Sequence, residues 1–253
     1  MPTAKKENVT ISVSKLTQKA CTLRLLGTTP LYQNRMSAKA KQEFLVGGGK
    51  GKSKAERAHI KHDPLQEYVD AAEIVPDGPT ALGMKVIAVK AAMATAALET
   101  EGVYKTEIQR LLFMPGDLVP LYGTPHLKMD IVRQGGINKT PDIRTRPYLP
   151  KWGTEIEMRY ITPQLNLTSL FNILCNAGVL IGLGDYRQEK GKGNFGSFRV
   201  ISADEQDDEW DDLVNHHGRV AQQRALDNPM CADTDTEDLM KFFNDEVLRR
   251  DAA

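Results

Sequence analysis

The sequence predicts an α+β protein, an antiparallel sheet covered mainly on one face by helices. Three observations lead there: two-residue alternation recurs in short runs from Val9 to Ile201, residues 83–99 form one alanine-rich apolar stretch, and a second helical pattern follows Thr168 without regular strand–helix alternation. With 253 residues, 41% of them apolar and 26% charged, the chain can bury the core of one large domain or two small ones.

Val9, Ile11 and Val13 alternate with polar residues, and Leu23 and Leu25 resume the period, so the chain opens on strands. Residues 37–63 lose the pattern in the run from Gly47 to Lys54, which predicts a mobile basic loop. Pro76-Asp77-Gly78-Pro79 marks a turn before the apolar stretch, which reads as a buried helix. Leu111–Met114, Leu127–Val132 and Glu155–Ile161 read as strands, and 133–150 as a projecting basic hairpin. Thr168 is placed to cap a helix through Leu170 and Leu174 that ends at Gly178, and Phe195–Ile201 alternates as a last strand.

Net charge is zero, yet residues 201–253 carry 15 acidic against 5 basic side chains, which leaves 1–200 strongly basic. This predicts a basic α+β domain over 1–200 that meets a polyanion, and an acidic tail over 201–253 that repels or imitates one. The run after Ile201, ADEQDDEWDD, reads as a solvated linker that ends the domain. Thr234 and Glu237 form a capping box for a helix over 235–250, whose Leu239, Met240, Phe243 and Val247 make one apolar face. That face docks on its own domain or on a partner.

Residues 182–200 are the richest in chemical cues. Gly182, Gly184, Gly193 and Gly196 let backbone approach a ligand and turn N–H groups toward phosphate oxygens, with Arg187, Lys190 and Lys192 adding charge and Tyr186 and Phe195 able to stack on bases. A hairpin whose glycines only turn the chain leaves the same pattern. A second cationic group comprises Arg35, Lys39, Lys41, Lys50, Lys52 and Lys54, and a third Arg133, Lys139, Arg144 and Arg146 beside Tyr148. Arg144 and Arg146, two apart, share one side of an extended chain. Gly51-Lys52-Ser53 ends like a nucleotide phosphate loop but lacks its first glycine, at Val46. His59, His62 and Asp63 hint at a metal pair without the further ligands a site needs, and no nucleophile or carboxylate dyad stands out. The expectation is therefore no metal, no cofactor and no catalysis.

The order of elements resembles the RAMP superfamily, the ferredoxin-like RNA-binding backbone subunits of CRISPR-associated effector complexes. The opening strand running into Gly27-Thr28-Thr29-Pro30-Leu31 resembles that family's first strand and turn. Ile74-Val75-Pro76 with the helix through Lys90-Ala91-Ala92 is similar to its helix entry, with Lys85 or Lys90 at the basic position. RTRPYLPKWGTEIEMRY at 144–160 resembles its projecting hairpin and 182–200 its glycine-rich loop. The resemblance implies a ferredoxin-like, RRM-like sheet, single-stranded RNA along sheet and loops, and copies stacking into a filament. Some relatives cleave RNA with an aspartate after the opening strand; here Tyr32–Ser37 has none.

Together these predict a non-catalytic protein that binds single-stranded RNA or DNA, with the acidic tail serving autoinhibition or partner recruitment. The combination suits a bacteriophage or mobile element. One alternative is an assembly protein that oligomerises by charge complementarity; another is a metal-independent endoribonuclease using His59, His62 or His126. Cysteines at 21, 175 and 231 have no metal spacing, and no run of about 18 apolar residues occurs. A cytoplasmic, membrane-free location is the expectation.

Overall fold

The computed structural model describes residues 13–36, 45, 62–133, 140–190 and 193–251, with the side chains of Lys190 and Asp251 left aside. Strand β1 (Thr17–Gly27) turns Cys21, Leu23 and Leu25 toward the main core and pairs antiparallel with both β8 (Gly153–Thr162) and β9 (Phe198–Ser202). The edge beyond β8 is built by β5 (Leu118–Tyr122) and then β3 (Gly83–Lys85), giving the order β3-β5-β8-β1-β9, and β4 (Leu112–Phe113) pairs farther along β8. The registers make β1 parallel to β5 with β8 between them, and β8 parallel to β9 with β1 between them.

Each parallel pair is joined across one face by a helix. Helix α2 (Val86–Ala96), rich in alanine, lies in the first crossover, and α4 (Leu167–Asn176) in the second. Val89, Met93, Leu170 and Leu174 bury against Leu25, Ile156 and Met158 of the sheet. Small side chains on α2 let it sit close to the strands, so dispersion contacts accompany the apolar burial.

The remaining elements grow out of three connections. Between β1 and α2 come β2 (Leu31–Tyr32) and α1 (Pro64–Ala71); between β5 and β8 comes the hairpin of β6 (His126–Arg133) and β7 (Pro141–Leu149); between α4 and β9 comes the glycine-rich loop. They interlock in a second sheet, β2-β7-β6, with the loop bonded to β2 by Asp185 N–H to the Tyr32 carbonyl and Gly196 N–H to the Pro30 carbonyl. Asp63, inside the stretch read as mobile, instead caps α1 by accepting from the Gln66 N–H.

The α+β class and antiparallel pairing are borne out, and several details differ. The described residues hold seven α-helices, not the three expected. Leu111 ends α3 (Lys105–Leu111), leaving only Leu112–Phe113 as strand. Asn166, not Thr168, caps α4 by accepting from Ser169 N–H, because the turn begins two residues earlier. The left-handed residue is Gly182, at φ 73°, while a side chain at Gly178 would collide with the Phe198 carbonyl.

The largest difference is after Ile201. The expected linker forms α5 (Asp208–His216), followed by α6 (Arg219–Asp227) and α7 (Thr234–Asp251). Trp210 and Leu213 of α5 bury against Leu26 and Ile201, on the sheet face opposite α2 and α4, so helices cover parts of both faces. The acids that suggested a linker are those a helix start favours: Asp207 accepts from the Glu209 and Trp210 N–H groups, and Asp208, Glu209 and Asp211 fill the first turn. Fully buried Gln222 of α6 bonds the backbone of Ala81, Leu82, Leu121 and Gly123. Asp233, one residue before the expected cap, accepts from the Thr236 N–H. Thr236 is buried, Met240 packs with Leu127, Met129 and Tyr68, Phe243 and Val247 are half-buried, and Leu239 is 37% exposed.

Candidate nucleic-acid interface

The strand β7, the two-residue β2 and the glycine-rich loop bring one cluster together. At its centre lies Arg146, 2% exposed, with Tyr32 4.8 Å and Tyr186 4.4 Å from its guanidinium carbon. Its Nη2 donates to Asp130 at 2.8 Å and its Nη1 to Asp185 at 2.7 Å, and Asp185 also accepts from Asn34 Nδ2 at 2.8 Å. Burial opposes the charge, but Tyr186, Asp185 and Asp130 outweigh it and hold the Arg146 pKa above its ordinary value. The same burial, with Asp130 nearby, raises the Tyr32 hydroxyl pKa.

Tyr32 is the aromatic hub, edge-on to Tyr148 at 5.2 Å, to Tyr186 at 5.7 Å and to Phe195 at 4.9 Å. Sequence-predicted Arg146, Tyr148, Tyr186, Phe195 and Gly184 thus converge. Tyr32, Asn34, Asp130 and Asp185 were missed. The available signal was Asp185 itself, an acid inside a loop otherwise read for its cations.

Two expected roles change with the geometry. Arg146 is a buried, doubly ion-paired group and not a phosphate contact, whereas Arg144, two residues earlier on β7, is exposed. The glycines serve close approach to the protein's own chain: a Cβ at Gly184 would lie 2.4 Å from the Tyr32 carbonyl oxygen, at Gly193 2.2 Å from that of Tyr186 and at Gly196 1.8 Å from that of Leu183. Five of the loop N–H groups bond within the protein, Leu183 to Gly196, Asp185 to Tyr32, Tyr186 to the Asp185 carboxylate, Gly196 to Pro30 and Gly182 to Ala177. These five serve the loop's own shape.

Among the cationic side chains, Arg187 pairs with Glu189 at 3.0 Å and Arg35 is half-buried, held by its backbone N–H to the Ala71 carbonyl. Arg133 ends β6 exposed. Lys39, Lys41, Lys50, Lys52, Lys54, Lys139 and Lys192, with His59, lie outside the described residues, as does the Lys190 side chain. Their attachment points are described. The stretch 37–61 leaves after Met36, two residues past Asn34 on Asp185, and returns at His62, whose Nδ1 meets Glu67 at 2.6 Å and Nε2 meets Asp142 of β7 at 3.0 Å. The stretch 134–139 joins Arg133 to Thr140, beside the Val132–Asp142 pair.

The acidic segment spends carboxylates elsewhere. Asp207 and Glu209 hold Arg199 at 2.7 and 3.0 Å, and Asp233 holds Lys128. The sheet face near α5 is neutralised by Arg24–Glu155 and Arg159–Glu157, with Arg24 also under Trp210. Of the histidines weighed for catalysis, His62 bridges two carboxylates and His126 is pushed by burial toward the neutral form. Among the described residues no group of three or more His, Cys, Asp or Glu is placed to hold a metal ion, and no helix is long and apolar enough to cross a membrane. No model of a known protein family matches the chain, and no curated protein matches it either.

Proposed function

We propose that this protein binds single-stranded nucleic acid, RNA ahead of DNA, without catalysing its cleavage. One observation carries the reading: the attachment points of three cation-bearing stretches, 37–61, 134–139 and 187–192, meet around β7, at Asn34–Asp185–Arg146 and at His62–Asp142. The first stretch alone holds seven Lys and Arg against two Glu. Cations that enter from separate parts of the chain and share one base suit a polymer of phosphates better than a single small anion.

The RAMP-like, ferredoxin-like reading draws its support from the sheet. The order β5-β8-β1-β9, with α2 and α4 as crossovers on one face, is that of two interleaved β-α-β units, and the glycine-rich loop occupies the connection between α4 and β9. The ligand's place on this reading is the β7 side with its loops, because the open sheet face is ion-paired and partly covered by α5.

Fluorescence polarisation with labelled single-stranded RNA, single-stranded DNA and duplex at two salt concentrations tests the proposal. Single strands should bind more tightly than duplex, with a log–log salt slope of about 0.7 per neutralised phosphate. Undetectable or salt-insensitive binding rejects it. Salt-reversible oligomers without nucleic-acid binding favour charge-driven assembly instead, and shortened RNA would point to an endoribonuclease.

A further inference from the structure

We infer that Arg146 is a positioning residue that locks the glycine-rich loop in the shape the nucleic acid meets, and that it does so from inside the protein without touching a phosphate; this rests on the function proposed above. Three features separate a lock from an ordinary surface pair. The guanidinium sits against both the Tyr32 and the Tyr186 rings, at 4.8 and 4.4 Å, in the corner that these two edge-on rings make 5.7 Å apart, so it joins β2 to the loop through β7. Its two nitrogens hold Asp130 of the hairpin and Asp185 of the loop, and Asp185 takes Asn34 as a further donor, which ties in the exit of the 37–61 stretch. Tyr186, the residue next to Asp185, has φ 52° and is the one non-glycine described residue in the left-handed region. A residue held there must be over-determined by its surroundings. The Asp185 carboxylate does so on one side, accepting the Tyr186 N–H at 3.0 Å, and the Arg146 guanidinium does so on the other.

A planar fork is needed for this arrangement. Lysine replaces two nitrogens set apart on a rigid plane with one compact ammonium, which does not reproduce the separate bonds to Asp130 and Asp185 together with the ring contacts, so charge conservation at 146 does not conserve the lock. Exposed Arg144 makes the natural contrast, a cation on the same strand with the same charge and none of these bonds.

Hydrogen exchange of the full-length free protein and polarisation with a labelled oligouridylate, on wild type, Arg146→Lys, Tyr186→Asn and Arg144→Ala, test the inference. Asparagine at 186 accepts a left-handed φ and removes the ring. In Arg146→Lys and Tyr186→Asn the amides of Leu183, Asp185 and Gly196 should exchange at least about tenfold faster, as expected when charge-assisted bonds that close a local opening are lost, while β1 and β8 stay protected. Arg146→Lys should weaken oligouridylate binding with the salt slope unchanged. Arg144→Ala should lower that slope by about 0.7 and leave exchange alone. Wild-type loop exchange in both Arg146→Lys and Tyr186→Asn overturns the lock, as does a slope that falls by about 0.7 in Arg146→Lys without faster exchange. If Arg146→Lys also exposes β1 and β8, Tyr186→Asn decides by the same loop amides. If wild type binds no oligouridylate yet the loop amides respond, the lock stands and the nucleic-acid reading alone falls.

Discussion

Replacing Trp210 by alanine tests whether the acidic C-terminal segment is part of the folded body. The indole is 6% exposed, packed with Leu26, Ile201 and Leu213, edge-on to Tyr122 at 5.4 Å and 4.9 Å from the Arg24 guanidinium carbon. Truncating a buried tryptophan costs about 3–5 kcal/mol through lost transfer energy and the cavity left behind, which already includes most of the cation–π contact. At about 2–4 °C per kcal/mol for a chain of this size, the melting temperature should fall by roughly 6–20 °C. Urea unfolding followed by far-ultraviolet circular dichroism, with a calorimetric scan, measures both. A loss below about 1 kcal/mol would mean that α5 is a detachable tail. The same packing makes deletion of 201–253 a poor probe of the segment's charge, because it would strip Ile201, Trp210 and Leu213 from Leu26 and remove Gln222 from four backbone groups.

Other expectations follow from single contacts. Gly196→Ala places a Cβ against the Leu183 carbonyl at φ 75° and should cost about 2 kcal/mol or more in urea unfolding; an unchanged midpoint would contradict the loop geometry. Arg144→Ala, with Arg146 intact, should remove about 0.7 from the salt slope of single-strand binding, and an unchanged slope would take Arg144 out of the interface. Burial lowers the His126 pKa from 6.5, so the folded state resists protonation. Stability from this group is complete above pH about 6.5 and is lost as the pH falls through the folded pKa. His126→Gln should flatten that part of the pH–stability curve, and an identical curve would show that another group controls it.

Local patterns made much of the main sheet legible. Alternation in β1 and β8 and the alanine content of α2 depend on neighbours in sequence, and the structure keeps all three. Strand β2 has two residues and exists through its pairing with Leu149 and Tyr148, so Tyr32 carried no periodic signal. The hub of Asp130, Arg146 and Asp185 joins three separate connections, and an arginine in a basic run reads as exposed until its partners arrive from elsewhere. The α5 region failed for a different reason. Its composition outweighed its spacing, although Asp207 followed three residues later by Trp210 and six later by Leu213 is a cap followed by two positions of one apolar face.

Ultraviolet crosslinking of full-length protein to single-stranded RNA, with adducts mapped by mass spectrometry, addresses the central claim most directly. Adducts should concentrate in 37–61, 133–148 and 186–195, around β7 and its loops. Adducts confined to Arg24, Glu155 and Arg159 on the sheet face, or no adducts under conditions that crosslink a known RNA binder, would contradict it.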